Sequence, residues 1–229
     1  MPVSCTIDEA FALYGGGCFG RKKIKAARLG EGSGPYFRPE QSMLSLRDAA
    51  CAVCGDAFAE VRLTAVDETV CIPQDLCSLL SLAEESCCGK CGGLRDHCQR
   101  MHRIAAQITE GKGGAAALDL LKKLGGELAS SAACGVCRGA GEAAVTALDG
   151  FGDEFLSHAE KGVCPARTCP SLISYTINQK CRGCMMCEDN CPAGAISGEP
   201  LKQHTIDQNK CVKCGKCLRS CKFRAVVKI

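Results

Sequence analysis

Eight cysteines near the C-terminus fall into one spacing written twice. Cys181-x2-Cys184-x2-Cys187-x3-Cys191 is followed by Cys211-x2-Cys214-x2-Cys217-x3-Cys221. No other feature of the 229 residues restricts the fold as strongly. A tight C-x2-C-x2-C loop can grip three corners of a 4Fe–4S cube, and the cysteine beyond it crosses to the other cube. The spacing therefore predicts one cluster on Cys181, Cys184, Cys187 and Cys221. It predicts a second on Cys211, Cys214, Cys217 and Cys191. Gly183 and Gly215 lie inside the loops, where small residues let the backbone approach the cube and aim N–H groups at its sulfurs. Pro192 follows the first crossing ligand, and Lys222 takes that place in the second half. A zinc or disulfide module is the competing reading, which the doubled eight-cysteine pattern disfavours.

The run resembles that of the two-cluster bacterial ferredoxins. Segments 175–179, 194–197, 204–207 and 225–229 read as its short strands, and the segments after Cys187 and Cys217 as its short helices. Residues 176–229 hold ten Lys/Arg and four Asp/Glu, a formal +6. Two oxidised clusters at about −2 each bring the loaded domain to about +2. A basic surround favours the reduced cluster and raises its potential.

The chain has 22 cysteines and only ten aromatic residues, none of them Trp. A secreted disulfide scaffold is a poor fit. The chain is too long to need stapling, its first residues show no basic-then-apolar leader, and most cysteines are paired as C-x-x-C. A reducing, cytoplasmic setting is expected, because exposed clusters and free thiols oxidise readily. No apolar run reaches the roughly 18 residues of a membrane span. A net charge of +3 does not call for nucleic acid. With so few aromatics, bound metal is expected to supply part of each core.

The middle of the chain reads as helical. Residues 74–86 place Leu76, Leu79, Leu80 and Ala83 on one face. Residues 94–110 do so with Leu94, Cys98, Met101, Ile104, Ala105 and Ile108. Residues 114–131 carry Leu118, Leu121, Leu124 and Leu128, and residues 141–160 carry Ala144, Leu148, Phe151, Phe155 and Leu156. Four amphipathic stretches with glycine breaks at Gly89, Gly111 and Gly113–Gly114 predict a small four-helix bundle.

These stretches carry a family resemblance. Val66-Asp67-Glu68-Thr69-Val70-Cys71, Glu85-Ser86, Cys88-Gly89-Lys90-Cys91, Asp119-Leu120-Leu121, Cys134-Gly135 and Asp153-Glu154-Phe155 occur in one order. They resemble the C-terminal iron–sulfur region of the NADH-binding flavoprotein subunit of complex I. The beta subunit of electron-bifurcating FeFe-hydrogenases is more similar still, with a doubled ferredoxin domain after the bundle. Residues 6–17 and 24–34 resemble the soluble-ligand-binding β-grasp domain that precedes the bundle there. The family's FMN- and NADH-binding domain would lie before residue 1, and its glycine-rich flavin fingerprint is absent from the sequence. Gly15-Gly16-Gly17 follows a helical stretch and reads as a helix stop rather than a phosphate cradle. No flavin or NAD is expected in this chain.

The resemblance also implies metal ligands. The family's bundle cluster uses Ser-Cys-Gly-x-Cys-x-x-Cys and one distant cysteine. Here Cys88 and Cys91 are in register, Leu94 stands at the third position, and Cys134 matches the fourth. Cys137 can replace the missing ligand, giving a 4Fe–4S cluster on Cys88, Cys91, Cys134 and Cys137. Cys98 or Cys87 can do so instead, and the two C-x-x-C pairs also suit zinc. His158, Cys164 and Cys169 lie in HAEKGVCPARTC, which is similar to a linker associated in the family with zinc. A closed zinc site needs a fourth ligand, from Cys71 or Cys77, with Cys71 preferred. Its role would be to pin the ferredoxin domain to the bundle. Cys51 and Cys54 have no family role and read as a further metal pair or buried thiols. Cys5 and Cys18 read as structural. His97, His102 and His204 read as solvent-side or capping residues, and Arg21-Lys22-Lys23-Lys25 as a solvated turn or partner contact.

The expected architecture is α+β and multidomain. A small β-grasp domain spans 1–60, a helical iron–sulfur bundle 61–160, a linker with a zinc site 161–175, and a two-cluster ferredoxin domain 176–229. The expected function is single-electron relay within a multi-subunit cytoplasmic oxidoreductase: a hydrogenase, a formate dehydrogenase or an NAD(P)- or ferredoxin-linked complex. No catalytic site of its own is expected. Expected partners are other subunits, including a flavin or metal catalytic subunit, and soluble ferredoxin, with no nucleic acid. A structural adaptor in which only the ferredoxin clusters are redox active is the alternative. A flavin enzyme built on the front half is a further one.

Overall fold

A computed structural model describes residues 4–15, 22–30, 34–41, 43–49, 62–87 and 93–229. Cys18, Cys51, Cys54, Cys88 and Cys91 lie outside the described residues, as do Gly16 and Gly17. The chain divides into two compact units, Met1–Cys169 and Pro170–Ile229. The division falls inside the expected 161–175 linker.

The first unit opens with helix α1 (Ile7–Leu13), closed at its start by a capping box in which Thr6 and Glu9 exchange side-chain and backbone hydrogen bonds. Strands β1 (Ile24–Leu29), β2 (Tyr36–Phe37) and β3 (Leu63–Asp67) form an antiparallel sheet in the order β2-β1-β3. Side chains alternate across a strand, so each strand serves two faces. Ala27, Leu29 and Phe37 pack with Ile7, Ala10 and Phe11 of α1. Ala26, Tyr36 and Val66 point the other way and join the helical core. The sheet is thus buried on both faces.

Four helices follow: α2 (Ile72–Ser86), α3 (Leu94–Thr109), α4 (Gly114–Ser131) and α5 (Gly135–Ala159). Their shared core holds Leu76, Leu79, Leu80, Met101, Ile108, Leu121, Leu128 and Phe155, all nearly inaccessible. Three helices agree with the sequence periodicity to within two residues. The fourth begins six residues before the expected start, at Gly135 rather than 141. Gly139 and Gly141 lie inside the helix although glycine disfavours helix interiors, and at Gly141 α4 and α5 pack almost backbone to backbone. A Cβ on Gly141 would lie 2.5 Å from the Gly125 carbonyl oxygen and 2.6 Å from the Ala129 nitrogen. Ala140, Ala143, Ala144 and Ala147 continue this small-residue face. α5 is kinked at Phe151 (φ −133°, ψ 29°), and Leu156, expected on the apolar face, is exposed.

Gly141→Ala is therefore expected to destabilise the protein by about 1–3 kcal/mol, because overpacking outweighs the roughly 1 kcal/mol gain in helix propensity. Gly126→Ala, where an added Cβ meets nothing within 4 Å, should stabilise by up to about 1 kcal/mol. Urea or thermal unfolding of the two variants checks the contrast.

The second unit is a pair of two-stranded antiparallel ribbons with two short helices. β4 (Tyr175–Ile177) pairs with β7 (Val226–Lys228), and β5 (Ile196–Ser197) pairs with β6 (Thr205–Ile206). Helices α6 (Met186–Asp189) and α7 (Lys216–Ser220) sit at the third cysteine of each loop. The four strands lie within the four expected segments. The core is small: Ile173, Tyr175, Ile196, Val226 and the thiols Cys187 and Cys217. No helix among the described residues is long and apolar enough to cross a membrane.

Candidate metal centres

In the second unit, two separate cavities divide the eight cysteines. One is lined by Cys181, Cys184, Cys187 and Cys221. The other is lined by Cys191, Cys211, Cys214 and Cys217. Each groups three thiols of one loop with the outlying thiol of the other half. The two halves match in backbone detail. Left-handed φ recurs at Gly183 (62°) and Lys213 (56°), at Met185 (64°) and Gly215 (69°), and at Gly194 (56°) and Arg224 (50°). Each half thus places one glycine among the two left-handed positions inside its loop, a conformation that costs other residues steric strain. At Gly183 a Cβ would also lie 2.4 Å from the Leu201 nitrogen. The outlying thiols each accept a backbone N–H four residues on, Ala195 to Cys191 at 3.3 Å and Ala225 to Cys221 at 3.2 Å. Such bonds favour the thiolate. Cys221 is accordingly held below the ordinary thiol range: burial opposes this, but backbone N–H groups from Val226, Ala225 and their neighbours prevail.

His204 departs from its expected place. It is buried rather than solvent-facing, with Nε2 3.1 Å from a Glu188 carboxylate oxygen and 3.2 Å from the Met185 sulfur. His97 and His102 lie on the helix surfaces against Glu127 and Glu84.

A third constellation lies wholly within the first unit. The ligand atoms of Cys71, His158, Cys164 and Cys169 are all within 4.8 Å of one another, and all four residues are buried. Cys71 Sγ is 3.2 Å from His158 Nε2 and 3.4 Å from Cys169 Sγ, and His158 Nε2 is 3.3 Å from Cys169 Sγ. Cys77, the other candidate from α2, is not in this group. Cys71 immediately precedes α2, so the helix start positions it. His158 lies in the last turn of α5, with Nδ1 2.7 Å from the Glu154 carbonyl oxygen. Nδ1–H donates to that carbonyl, which leaves the Nε2 lone pair directed at the thiols. The Glu154 carboxylate accepts the Ile72 N–H at 3.2 Å and pairs with Lys25 at 2.6 Å. One residue therefore caps α2 beside Cys71 and orients His158. No local pattern signals this role, because the contact spans 82 residues.

Burial and mutual contacts shift the site's titratable groups in different directions. Hydrogen bonding to Cys169 and burial push the Cys71 thiol far up. Burial alone would lower His158, but the Cys71 thiol and the Glu154 carbonyl raise it to about 9. Burial likewise opposes ionisation of Cys164, yet N–H groups of Cys169 and Thr168 lower it to about 6. Three buried thiols cannot all ionise without a compensating positive charge. Zinc at about 2.3 Å from sulfur and 2.0–2.1 Å from nitrogen gives tetrahedral edges of roughly 3.5–3.8 Å. The observed 3.2–3.4 Å contacts are within a few tenths of that.

Among the described residues, Cys87, Cys98, Cys134 and Cys137 gather where α2 ends and α5 begins, while Cys77 stands apart within α2. Cys134 precedes α5 and Cys137 lies in its first turn, not in a loop as the later expected start implied. Cys87, at the end of α2, has its sulfur 3.4 Å from that of Cys137. Cys98, one turn into α3, is fully buried and also reaches Cys137. Burial pushes both the Cys98 and the Cys137 thiol up.

Residues 76–158 match the NADH-ubiquinone oxidoreductase-F iron–sulfur binding region, and residues 180–225 match a 4Fe–4S dicluster domain. The chain is 32% identical over all 229 of its residues to the NADP-reducing hydrogenase subunit HndC of Solidesulfovibrio fructosivorans, covering 47% of that protein. It is 24% identical over 164 residues, 72% of its length, to a subunit of the NADH-quinone oxidoreductase of Mycobacterium bovis, covering 37% of it. The chain thus spans less than half the length of these relatives. A crystal structure of NAD+-reducing [NiFe]-hydrogenase in the H2-reduced state shares the fold over 70% of this chain and 27% of the other, with a TM-score of 0.56 and 16% identity. The chain therefore carries an iron–sulfur binding region of the NADH-ubiquinone oxidoreductase kind followed by a 4Fe–4S dicluster domain, and is homologous to the C-terminal portions of HndC and of the mycobacterial oxidoreductase subunit.

Proposed function

We propose that this chain is the iron–sulfur electron-transfer part of a multi-subunit cytoplasmic oxidoreductase of the hydrogenase or NADH-quinone oxidoreductase kind. The observation that carries this reading is the pair of cavities in Pro170–Ile229, each lined by four thiols from both halves of the doubled run. When bound, 4Fe–4S clusters supply reversible one-electron chemistry. The chain's own residues fix the sulfur positions, donate N–H groups from Ala195 and Ala225 to the outlying thiolates, and bury Cys187 and Cys217 among apolar side chains, leaving Cys184 and Cys214 at the surface. On this reading the antiparallel sheet with α1 is the β-grasp domain of 1–60, continued by β3, and α2–α5 form the four-helix iron–sulfur bundle of 61–160. Residues 161–175 are the linker and 176–229 the ferredoxin domain.

Zinc on Cys71, His158, Cys164 and Cys169 fits the donor set and closes the site with four ligands. All four belong to the first unit, so the site fastens the start of the linker to α2 and α5. A third 4Fe–4S cluster is assigned to Cys88, Cys91, Cys134 and Cys137. One observation favours a second ligand set there: Cys87 and Cys98 both approach Cys137, while Leu94 stands at the family's third position. The same departure keeps alive the adaptor reading, in which only the ferredoxin clusters work.

Anaerobic purification from the native host, with metal analysis and identification of co-purifying subunits, tests the proposal. About twelve iron and one zinc per chain are expected, at four iron per cube. About eight iron supports the adaptor. A chain purified without iron, or without partner subunits, contradicts the proposal.

A further inference from the structure

The two cluster loops of the second unit are one loop built twice at an offset of 30 residues, so each is an internal control for the other. Their thiols, left-handed positions and sulfur-directed N–H groups match. Their charges do not. Residues 180–189 carry Lys180, Arg182, Glu188 and Asp189, which cancel. Residues 210–219 carry Lys210, Lys213, Lys216 and Arg219 with no acid, a formal +4. Two clusters of equal charge and two loops of equal geometry do not require unequal charge, so folding does not explain the excess.

Placement points to an external use. Lys210, Lys216 and Arg219 are exposed, and Cys214 is exposed at the loop's centre. Val212 and Leu218 are 63% and 39% exposed where the twin loop has Arg182 and Glu188. Lys213, whose ammonium rests on the Ser171 carbonyl, occupies a left-handed position where the twin has Gly183. A lysine held there, against conformational preference, is costly for a residue that only fills a loop. The loop at the site of Cys191, Cys211, Cys214 and Cys217 thus exposes two apolar and three basic side chains to solvent, and Val212, Lys213 and Lys216 line that site.

We propose that this face is the docking surface for a soluble acidic protein that carries a one-electron centre. The proposal rests on the electron-transfer reading and adds the face on which such a carrier is recognised. Opposite charge steers and orients the carrier, and the exposed apolar residues are covered once it is seated. One electron then passes between carrier and domain, one side oxidised as the other is reduced, with no bond or proton changing place.

The test uses the full chain with its clusters, purified anaerobically, and a ferredoxin of strongly negative net charge as probe. Binding is measured by titration calorimetry and electron exchange by stopped flow. Affinity should fall about tenfold or more from low to physiological ionic strength. The triple variant Lys213→Gly, Lys216→Met, Arg219→Asp installs the twin loop's own residues, which that backbone already accommodates. It should weaken low-salt binding about tenfold to a hundredfold with iron content unchanged. Lys180→Glu with Arg182→Glu, on the twin loop, should change binding less than about twofold. Equal loss in both variants, equal binding of a basic cytochrome, or a shifted reduction potential with unchanged binding would each overturn the docking proposal. An iron-free wild-type domain would instead defeat the reading beneath it.

Discussion

Cys169→Ala is expected to remove the single zinc ion from each chain and to lower the thermal midpoint of the first unit by roughly 6–20 °C. Removing one ligand leaves Cys71, His158 and Cys164 buried around an incomplete coordination sphere. Breaking a buried charged arrangement by deleting one member typically costs about 3–5 kcal/mol. A unit of this size loses about 2–4 °C per kcal/mol. Full loss of a structural zinc is worth about 10–16 kcal/mol in zinc-finger peptides, which fold only with metal. Here the apolar core of α2–α5 folds around its own leucines, so the smaller figure applies. Cys77→Ala is the matched control. It deletes another buried α2 thiol outside the metal group, so zinc should be retained and the loss limited to a small cavity. Metal analysis with calorimetry decides the matter. Zinc retained at full occupancy in Cys169→Ala would remove this assignment.

That site shows which features of the chain can be read from its residues and which cannot. Cysteine spacing is a local constraint, because three thiols must reach one cube from one loop. The doubled run could therefore be divided between two clusters without coordinates. The grouping of His158, Cys164 and Cys169 was suggested by a short motif, and the structure brings Cys71 rather than Cys77 to them. Glu154 was named only as part of a family motif, and its positioning role was invisible, because its capping of Ile72 and its hold on His158 join α5 to the start of α2. His204 was misplaced for the same reason: its burial against Glu188 and Met185 comes from the closure of the second unit, not from its neighbours in sequence. The six residues that open α5, Gly135 and Gly139 among them, lay outside the expected helix of 141–160. Glycine disfavours a helix locally by about 1 kcal/mol, but Gly141 is what lets α4 approach.

Double substitutions should show that each ferredoxin cluster draws its fourth thiol from the opposite half. Cys181→Ala with Cys221→Ala removes two thiols from the same cavity, so one cube and about four iron are lost. Cys181→Ala with Cys191→Ala removes one thiol from each cavity, so both cubes and about eight iron are lost. If each half kept its own fourth cysteine, the order would be reversed. Single variants cannot tell the two wirings apart, since either wiring costs one cube per thiol. The two doubles carry the same number of changes and share Cys181→Ala, which controls for general damage to the small core. With only Ile173, Tyr175, Ile196, Val226 and two thiols in that core, the variant that loses both cubes should also lose the fold of the unit. Iron content with low-temperature electron paramagnetic resonance of the reduced protein counts the clusters, and near-ultraviolet circular dichroism follows the fold. Greater iron loss from the Cys181 and Cys221 pair than from the Cys181 and Cys191 pair would overturn the crossed wiring.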